Sequence, residues 1–245
     1  MNPPSPQTHP NEVFALLETH KNERGIQHWN RRYATSQGAL KSYGIGLTVL
    51  RKLTKSIGRN HELALQLWDS NFYDAKVIAL LIDDPKKISR KQVEEQVEEV
   101  KQGHLAHVFS TCNATLSKTP FALDLAVDWM KSDSIIRKSC GYGLLYEFSK
   151  SKKKNAPDNN FFLNWLKQIE INFDQEHISV QSAMGCAVLG IGKRNVSLHK
   201  TALEIAKQLG QIQFESSGDS CAPLDLIKHL TSDYLRSKLN LEPSV

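Results

Sequence analysis

Apolar residues recur at three- and four-residue intervals along most of the chain, with short polar turn signals between the segments. This spacing places apolar side chains on one face of a helix, whereas the strict alternation typical of strands is scarce. The pattern therefore predicts an all-α protein. Helices are predicted over residues 47–57, 61–69, 73–82, 159–171, 177–192, 196–209 and 223–239, and residues 211–215 are compatible with either a short strand or an ordered loop.

Two helix starts carry recognisable capping signals. Ser89 and Gln92 have the S-x-x-Q form of a capping box, and the helix that follows is expected to run through Val93, Val97 and Val100. Thr119 and Pro120 fit an N-cap followed by proline in the first helical position. The second helix is expected to bury the apolar residues Leu123, Ala126, Val127 and Met130.

Helix pairs recur with a period of about 35 residues, which is typical of helical repeat proteins. The pattern lacks the heptads of a coiled coil, so an α-solenoid of antiparallel helix pairs is the predicted architecture. A polar, proline-rich tail is expected over residues 1–10, followed by one repeat domain over residues 11–240.

Composition narrows the functional classes. The 245 residues carry a formal charge of +5, which is compatible with a polyanionic partner. The longest apolar run, Val77 to Ile82, is too short to cross a membrane, and the first residues lack the pattern of a secretory signal, so a cytoplasmic location is expected. The four widely spaced cysteines, Cys112, Cys140, Cys186 and Cys221, are interpreted as reduced, mostly buried thiols rather than a disulfide framework or a zinc site.

Several short motifs occur together in an order known from one family. They are Tyr43-Gly44-Ile45, Leu67-Trp68-Asp69-Ser70, Asp83-Asp84-Pro85, Lys118-Thr119-Pro120 and Ile191-Gly192-Lys193-Arg194-Asn195. Over about residues 12–235 the chain thereby resembles the AlkD-type DNA alkylation repair proteins. The resemblance implies a curved stack of HEAT-like helix pairs whose basic concave face holds duplex DNA.

The same resemblance implies an activity and its chemistry. Active members of the family excise positively charged N3- and N7-alkylpurines with a Trp, an Asp four residues later and a second Trp on a later helix. An oxocarbenium-like sugar is stabilised by a nearby carboxylate and by electron-rich aromatic faces. Such chemistry needs no cofactor, so none is expected.

This chain departs from the family at those three positions. Leu105 and Phe109 stand where the first Trp and the Asp are expected, and Cys186 stands at the second Trp. No catalytic residue is therefore assigned, and the sequence favours a non-catalytic DNA-binding paralogue. Two alternatives stay open: an active glycosylase that uses substituted groups, and a protein-binding scaffold, since helical solenoids bind peptides as well as nucleic acids.

Cationic residues near helix ends are the candidate DNA contacts, because such positions can present charge to phosphates. Tyr33 and Lys138 also match positions that contact DNA in the family. The protein is expected to be a monomer that binds duplex or structured DNA and does not associate with a membrane. A protein partner stays open as an alternative. The candidate contacts are Arg32, Tyr33, Lys41, Arg51, Arg137, Lys138, Lys193 and Arg194.

Other chemistry-bearing residues have simpler interpretations. His104 and His107, with only Cys112 nearby, do not form a four-ligand metal set, so no metal is assigned. Asp83 and Asp84 precede a proline and are expected to form a turn. The four tryptophans, Trp29, Trp68, Trp129 and Trp165, are expected to pack in the core.

Overall fold

The computed structural model describes residues 9–36, 38–154, 156–213 and 222–241. Within these ranges the chain forms fourteen α-helices, two short 3-10 helices and one two-stranded antiparallel sheet, which confirms the all-α prediction. The chain divides into two compact units, Met1–Ala122 and Leu123–Val245. That the repeats form a single domain stays a prediction.

The first unit is built from seven α-helices. The predicted ranges of α3 and α5 match residue for residue, and α4 ends one residue before its predicted end. The predicted tail lies mostly outside the described residues, and its last residue, Pro10, begins α1 behind a capping box formed by His9 and Glu12. The helices are α1 (Pro10–Thr19), α2 (Glu23–Tyr33), α3 (Leu47–Ile57), α4 (His61–Trp68), α5 (Tyr73–Ile82), α6 (Arg90–Gln96) and α7 (Leu105–Ser110).

The helix after Ser89 is shorter than predicted. The Ser89 side chain accepts a hydrogen bond from the Gln92 backbone N–H, as an N-cap should. The Gln92 amide, however, donates to Asp83 Oδ2 at 2.9 Å and thus supports a neighbouring loop. Helix α6 ends at Gln96, so Val97 and Val100 are buried without belonging to it.

The second unit holds the remaining α-helices and the small sheet. The helices are α8 (Ala122–Met130), α9 (Ile135–Lys150), α10 (Asn159–Asn172), α11 (Ile178–Gly192), α12 (Val196–Leu209), α13 (Leu226–Leu230) and α14 (Asp233–Leu239). The predictions for α10, α11 and α12 are correct to within one residue. Of residues 211–215, Gln211 and Ile212 form β1, which pairs with β2 (Leu224–Asp225), and residues 214 and 215 lie outside the described part.

Two predictions in this region were wrong. The Thr119 hydroxyl donates back to the Leu116 carbonyl of a 3-10 turn, so α8 begins at Ala122. Ala126 and Met130 are buried as predicted, but Leu125 and Trp129 are buried with them in place of Leu123 and Val127, which are half-buried. The range 223–239 contains a strand and two helices. Asp225 caps α13, and the backbone at Ser232 is extended, which interrupts the helix before α14.

Helices α9 and α11 form the central contact of the second unit. Gly190 makes their close approach possible, because a Cβ atom there would collide with the side chains of Ser149 and Tyr146. Both helices are largely buried, and their C-terminal ends lie near each other. This approach positions the charged residues that follow each helix.

Candidate nucleic-acid interface

A cleft of about 540 Å³ lies where α9, α11 and α14 meet in the second unit. Its lining is dominated by positive charge, and its floor includes an aromatic ring and the small residue Gly190. We call it the cationic cleft. Its lining residues are Tyr146, Ser149, Lys150, Lys152, Gly190, Lys193, Arg194, Asn195 and Lys238.

The cations of the cleft come from separate parts of the sequence. Lys150 is the last residue of α9, and Lys152 follows it. Lys193 is the C-cap of α11, and Lys238 lies in the last turn of α14. Basic side chains at helix C-termini are stabilised by the negative end of the helix dipole, so these ends can hold cations close together.

Lys193 shows the electrostatic character of the cleft most clearly. Its side chain is half-buried, and burial lowers the pKa of its ammonium group. The nearby charge of Lys238 lowers that pKa further, while Cys186 acts in the opposite direction. A bound anion would relieve the repulsion between the two lysines, so the site favours a negatively charged ligand.

Part of the positive charge is already balanced. Lys150 Nζ lies 2.6 Å from Glu147 Oε1 and 4.6 Å from the centroid of the Tyr146 ring. The carboxylate of Glu147 is buried, with 5% of its side chain exposed. The pair fixes Lys150 at the edge of the cleft, and the unbalanced charge comes mainly from Lys152, Lys193 and Lys238.

Arg194 lines the same cleft, but its guanidinium organises the backbone. It donates to the carbonyl oxygens of Ser149 at 3.0 Å, Ser151 at 2.5 Å and Pro157 at 3.3 Å. It also lies 4.9 Å from the centroid of the Phe162 ring. Arg194 therefore holds the segment after α9 in place and presents Lys152 to the cleft.

Arg137 and Lys138 lie in the first turns of α9, away from the cationic cleft. Lys138 Nζ forms an ion pair with Glu176 Oε1 at 2.7 Å, and the two side chains are only 19% and 17% exposed. Lys138 borders a second cleft of about 500 Å³ that also contains Trp165. Arg137, the residue before Lys138 in the chain, is half-buried. A phosphate at Lys138 would have to compete with Glu176.

The candidates of the first unit lie on its surface. Arg32 is exposed and lies 5.0 Å from the centroid of the Tyr33 ring, whose hydroxyl accepts from the Gly103 backbone N–H at 3.1 Å. Lys41 is exposed near the ring of Phe72, and Arg51 is exposed on α3. Tyr33 thus has a structural contact, while the cations remain accessible.

The three positions that the family resemblance assigns to reactive side chains hold a leucine, a phenylalanine and a cysteine. Leu105 and Phe109 lie on α7 with 0% and 3% exposure, so both belong to the hydrophobic core. Cys186 is half-buried on α11, and burial raises the pKa of its thiol. Helix α7 contains no carboxylate in its six residues. These positions offer packing and no group that stabilises a cationic sugar.

Other predicted features have structural roles. Asp83 is the C-cap of α5, and its carboxylate lies 2.6 Å from His61 Nδ1. The Lys87 backbone N–H donates to the Asp84 carbonyl at 2.9 Å, so the segment forms the predicted turn. Trp29, Trp68 and Trp129 are buried as predicted. The prediction for Trp165 was wrong, because it is half-buried at the rim of the second cleft.

Sequence reasoning missed two buried charges in the first unit. Lys76 Nζ donates to the Trp68 carbonyl at 2.5 Å and pairs with Glu99 at 2.8 Å. The Asp74 carboxylate accepts from the Ser42 hydroxyl and from backbone N–H groups of the loop before α3. Burial raises the pKa of Asp74, and these hydrogen bonds oppose the rise. Both residues lie in α5, which is otherwise mostly apolar, so the sequence pattern did not indicate that their charges are buried.

Lys238 was missed as well, since a lysine near the C-terminal end of a charged helix has no distinctive sequence signal.

Among the residues that the structure describes, no group of three or more His, Cys, Asp or Glu side chains could hold a metal ion. None of the described helices is long and apolar enough to cross a membrane.

These features define an all-α protein with a cationic cleft and without the reactive side chains expected at α7 and α11. Residues 15–213 match the sequence profile of the family described as DNA alkylation repair enzyme. The chain belongs to this family.

Two relatives are similar to this chain in sequence over most of their length. The uncharacterized protein Lmo0209 of Listeria monocytogenes is 26% identical over 202 residues, covering 82% of this chain and 87% of the relative. Lin0241 of Listeria innocua, also uncharacterized, is 26% identical over 204 residues, with the same coverage.

A solved structure has a TM-score of 0.77 to this chain at 23% identity, covering 95% of this chain and 96% of the other. It is described as representing a new family of proteins related to the HEAT-like repeat DNA glycosylases with affinity for branched DNA structures. The likeness shows that this chain has a HEAT-like repeat fold.

Proposed function

We propose that this protein binds branched DNA through its phosphate backbone and does not excise alkylated bases. The cationic cleft is the observation that carries the proposal. Family membership and the branched-DNA affinity of the structurally similar protein support DNA as the ligand. The binding species in this proposal is a cytoplasmic monomer.

The cleft suits phosphates for electrostatic reasons. Lys193 and Lys238 repel each other in the free protein, and burial disfavours the charge on Lys193. Phosphate oxygens would accept hydrogen bonds from both ammonium groups and remove that repulsion. Lysines act as point charges rather than as readers of base edges, so the binding should be strong at low salt and have little sequence preference.

The proposal excludes base excision because the stabilising groups are missing where the family places them. Departure of a base leaves positive charge on the sugar, which requires a nearby carboxylate or an electron-rich ring. Leu105 and Phe109 are buried aliphatic and phenyl side chains, and Cys186 has a thiol whose pKa burial raises. None of them can carry the negative charge that this chemistry needs.

A competition titration tests the choice of ligand. A fluorescent four-way junction is bound to the protein at low salt and displaced by unlabelled junction or by linear duplex of the same total length. The proposal expects the junction to displace at a concentration at least about tenfold lower, because a branch point brings more phosphates within reach of one protein. Equal displacement would assign the cleft to duplex DNA in general.

Base-release and binding experiments distinguish the two alternative functions from the proposed one. Release of N7-methylguanine above the spontaneous rate would establish a glycosylase and overturn the non-catalytic proposal. Failure to bind either DNA at low salt, together with capture of a specific protein, would favour a scaffold. Light scattering gives the mass of the free protein, for which the monomer predicts 27.6 kDa.

A further inference from the structure

Three side chains at the end of α7 form an arrangement that the proposed function does not use. Cys112 Sγ lies 2.8 Å from His107 Nε2, and His107 Nδ1 lies 2.7 Å from Thr111 Oγ1. The Thr111 hydroxyl also lies 2.5 Å from the His107 carbonyl oxygen, to which it donates. We call these three residues the thiol triad.

The contacts fix the positions of the protons. A carbonyl oxygen can only accept, so the hydroxyl hydrogen of Thr111 points to the His107 carbonyl. The Thr111 oxygen must then accept from His107 Nδ1–H. In that tautomer His107 Nε2 carries a lone pair, and it faces the thiol of Cys112 as an acceptor.

This geometry matches the general requirement for an activated nucleophile. A nucleophile and its base lie within hydrogen-bond reach, and a third group orients the base. We propose that Cys112 is a nucleophilic thiol, with His107 as its general base and Thr111 as the positioning residue. The substrate class is a small disulfide, since the half-exposed sulfur is accessible to a low-molecular-weight reagent.

The reaction is a thiol–disulfide exchange. As Cys112 Sγ attacks one sulfur of the disulfide, its proton moves to His107 Nε2, a new S–S bond forms and the original S–S bond breaks. The leaving thiolate takes the proton from His107 Nε2. The products are a mixed disulfide on Cys112 and one free thiol, so no further oxidant or reductant is consumed.

The chain supplies its own comparison groups. Cys186 is also partly accessible, but burial raises the pKa of its thiol. Cys140 is fully buried on α9, so its modification would report loss of the fold. Cys221 lies outside the described residues, and its adduct is resolved separately by peptide mapping.

The test measures the rate of adduct formation with oxidised glutathione at pH 7, site by site, by mass spectrometry of the full-length protein. We expect Cys112 to react about tenfold faster than Cys186, since an unassisted cysteine is only a few per cent thiolate at this pH. Replacement of the base, His107→Gln, should remove this advantage. Cys112→Ser should abolish the adduct at that site.

Thr111 provides a second and milder test. Thr111→Val removes the hydroxyl that orients His107 and should slow the reaction several-fold, whereas Thr111→Ser keeps the hydroxyl and should keep the rate. Slow labelling of Cys140 in every variant verifies that the fold is intact. Equal rates at Cys112 and Cys186, or an unchanged rate in a folded His107→Gln variant, would overturn the proposal.

Discussion

Removal of two lysines from the cationic cleft should weaken the salt dependence of DNA binding by a predictable amount. Lys193 and Lys238 interact electrostatically, and Lys193 is the C-cap residue of α11. The double variant Lys193→Gln/Lys238→Gln keeps side chains of similar length and removes two positive charges. Neither residue is part of the hydrophobic core, so the fold should be preserved.

The magnitude follows from counterion release. Each phosphate neutralised on duplex DNA contributes about 0.9 to the slope of log Kobs against log salt. If Lys152, Lys193 and Lys238, whose charge is unbalanced, each neutralise one phosphate, their part of the slope is about −2.7, and raising salt from about 50 to about 200 mM costs about 40-fold in affinity. With Lys193 and Lys238 replaced, the slope is about −0.9 and the loss is about 3.5-fold.

The assay is fluorescence anisotropy with a labelled junction at four or more salt concentrations. A matched control, Lys167→Gln/Lys207→Gln, removes the same charge from exposed positions of α10 and α12 that do not line the cleft. Only the cleft variant should lower the slope by about 1.8 relative to the unsubstituted protein. Equal slopes for the cleft and control variants would refute the assignment of phosphates to the cleft.

Four further outcomes are expected. Asp74→Asn should lower the free energy of unfolding in urea by about 1–3 kcal/mol, because the amide leaves donors of the 42–45 loop unpaired; an unchanged value would show that these hydrogen bonds contribute little. Arg194→Lys should expose the segment after α9 to faster proteolysis, since one ammonium group cannot hold three carbonyls; the same cleavage pattern would argue against this role. DNA affinity should fall as pH rises towards the range where ordinary lysines titrate, because the lowered pKa of Lys193 means that its proton is lost earlier, and Lys193→Arg should remove that early loss. Phe109→Asp should destabilise the protein without creating base release, because an ionised carboxylate at a position with 3% exposure has lost its water; release by a folded variant would show that only this side chain was missing.

Helix boundaries were predictable where capping residues and apolar spacing agree. Asn195 caps α12, and Gly210 ends it with a positive φ of 65°, so the predicted range 196–209 is correct. The break before α14 was not predictable, because Thr231 and Ser232 occur within helices as well as between them. The start of α8 depends on the preceding 3-10 turn, which shifts the buried face to Leu125.

The candidate site was predictable only in its charge. Lys193 and Arg194 are adjacent in the sequence and both basic, and both line the cleft. Lys193 contributes its charge to the cleft, whereas the guanidinium of Arg194 donates hydrogen bonds to backbone carbonyls. This difference depends on the approach of α9 to α11 at Gly190. The contribution of Lys238 depends on tertiary packing of α14, which apolar spacing does not reveal.

The most direct test of the central claim combines base release with binding on the same DNA. Duplexes and junctions that contain N7-methylguanine or N3-methyladenine are incubated with excess protein under single-turnover conditions, and a binding titration at low salt verifies that the DNA is occupied. The account predicts full occupancy with release at the spontaneous rate. Release above that rate from occupied DNA would contradict it and would require a carboxylate outside α7.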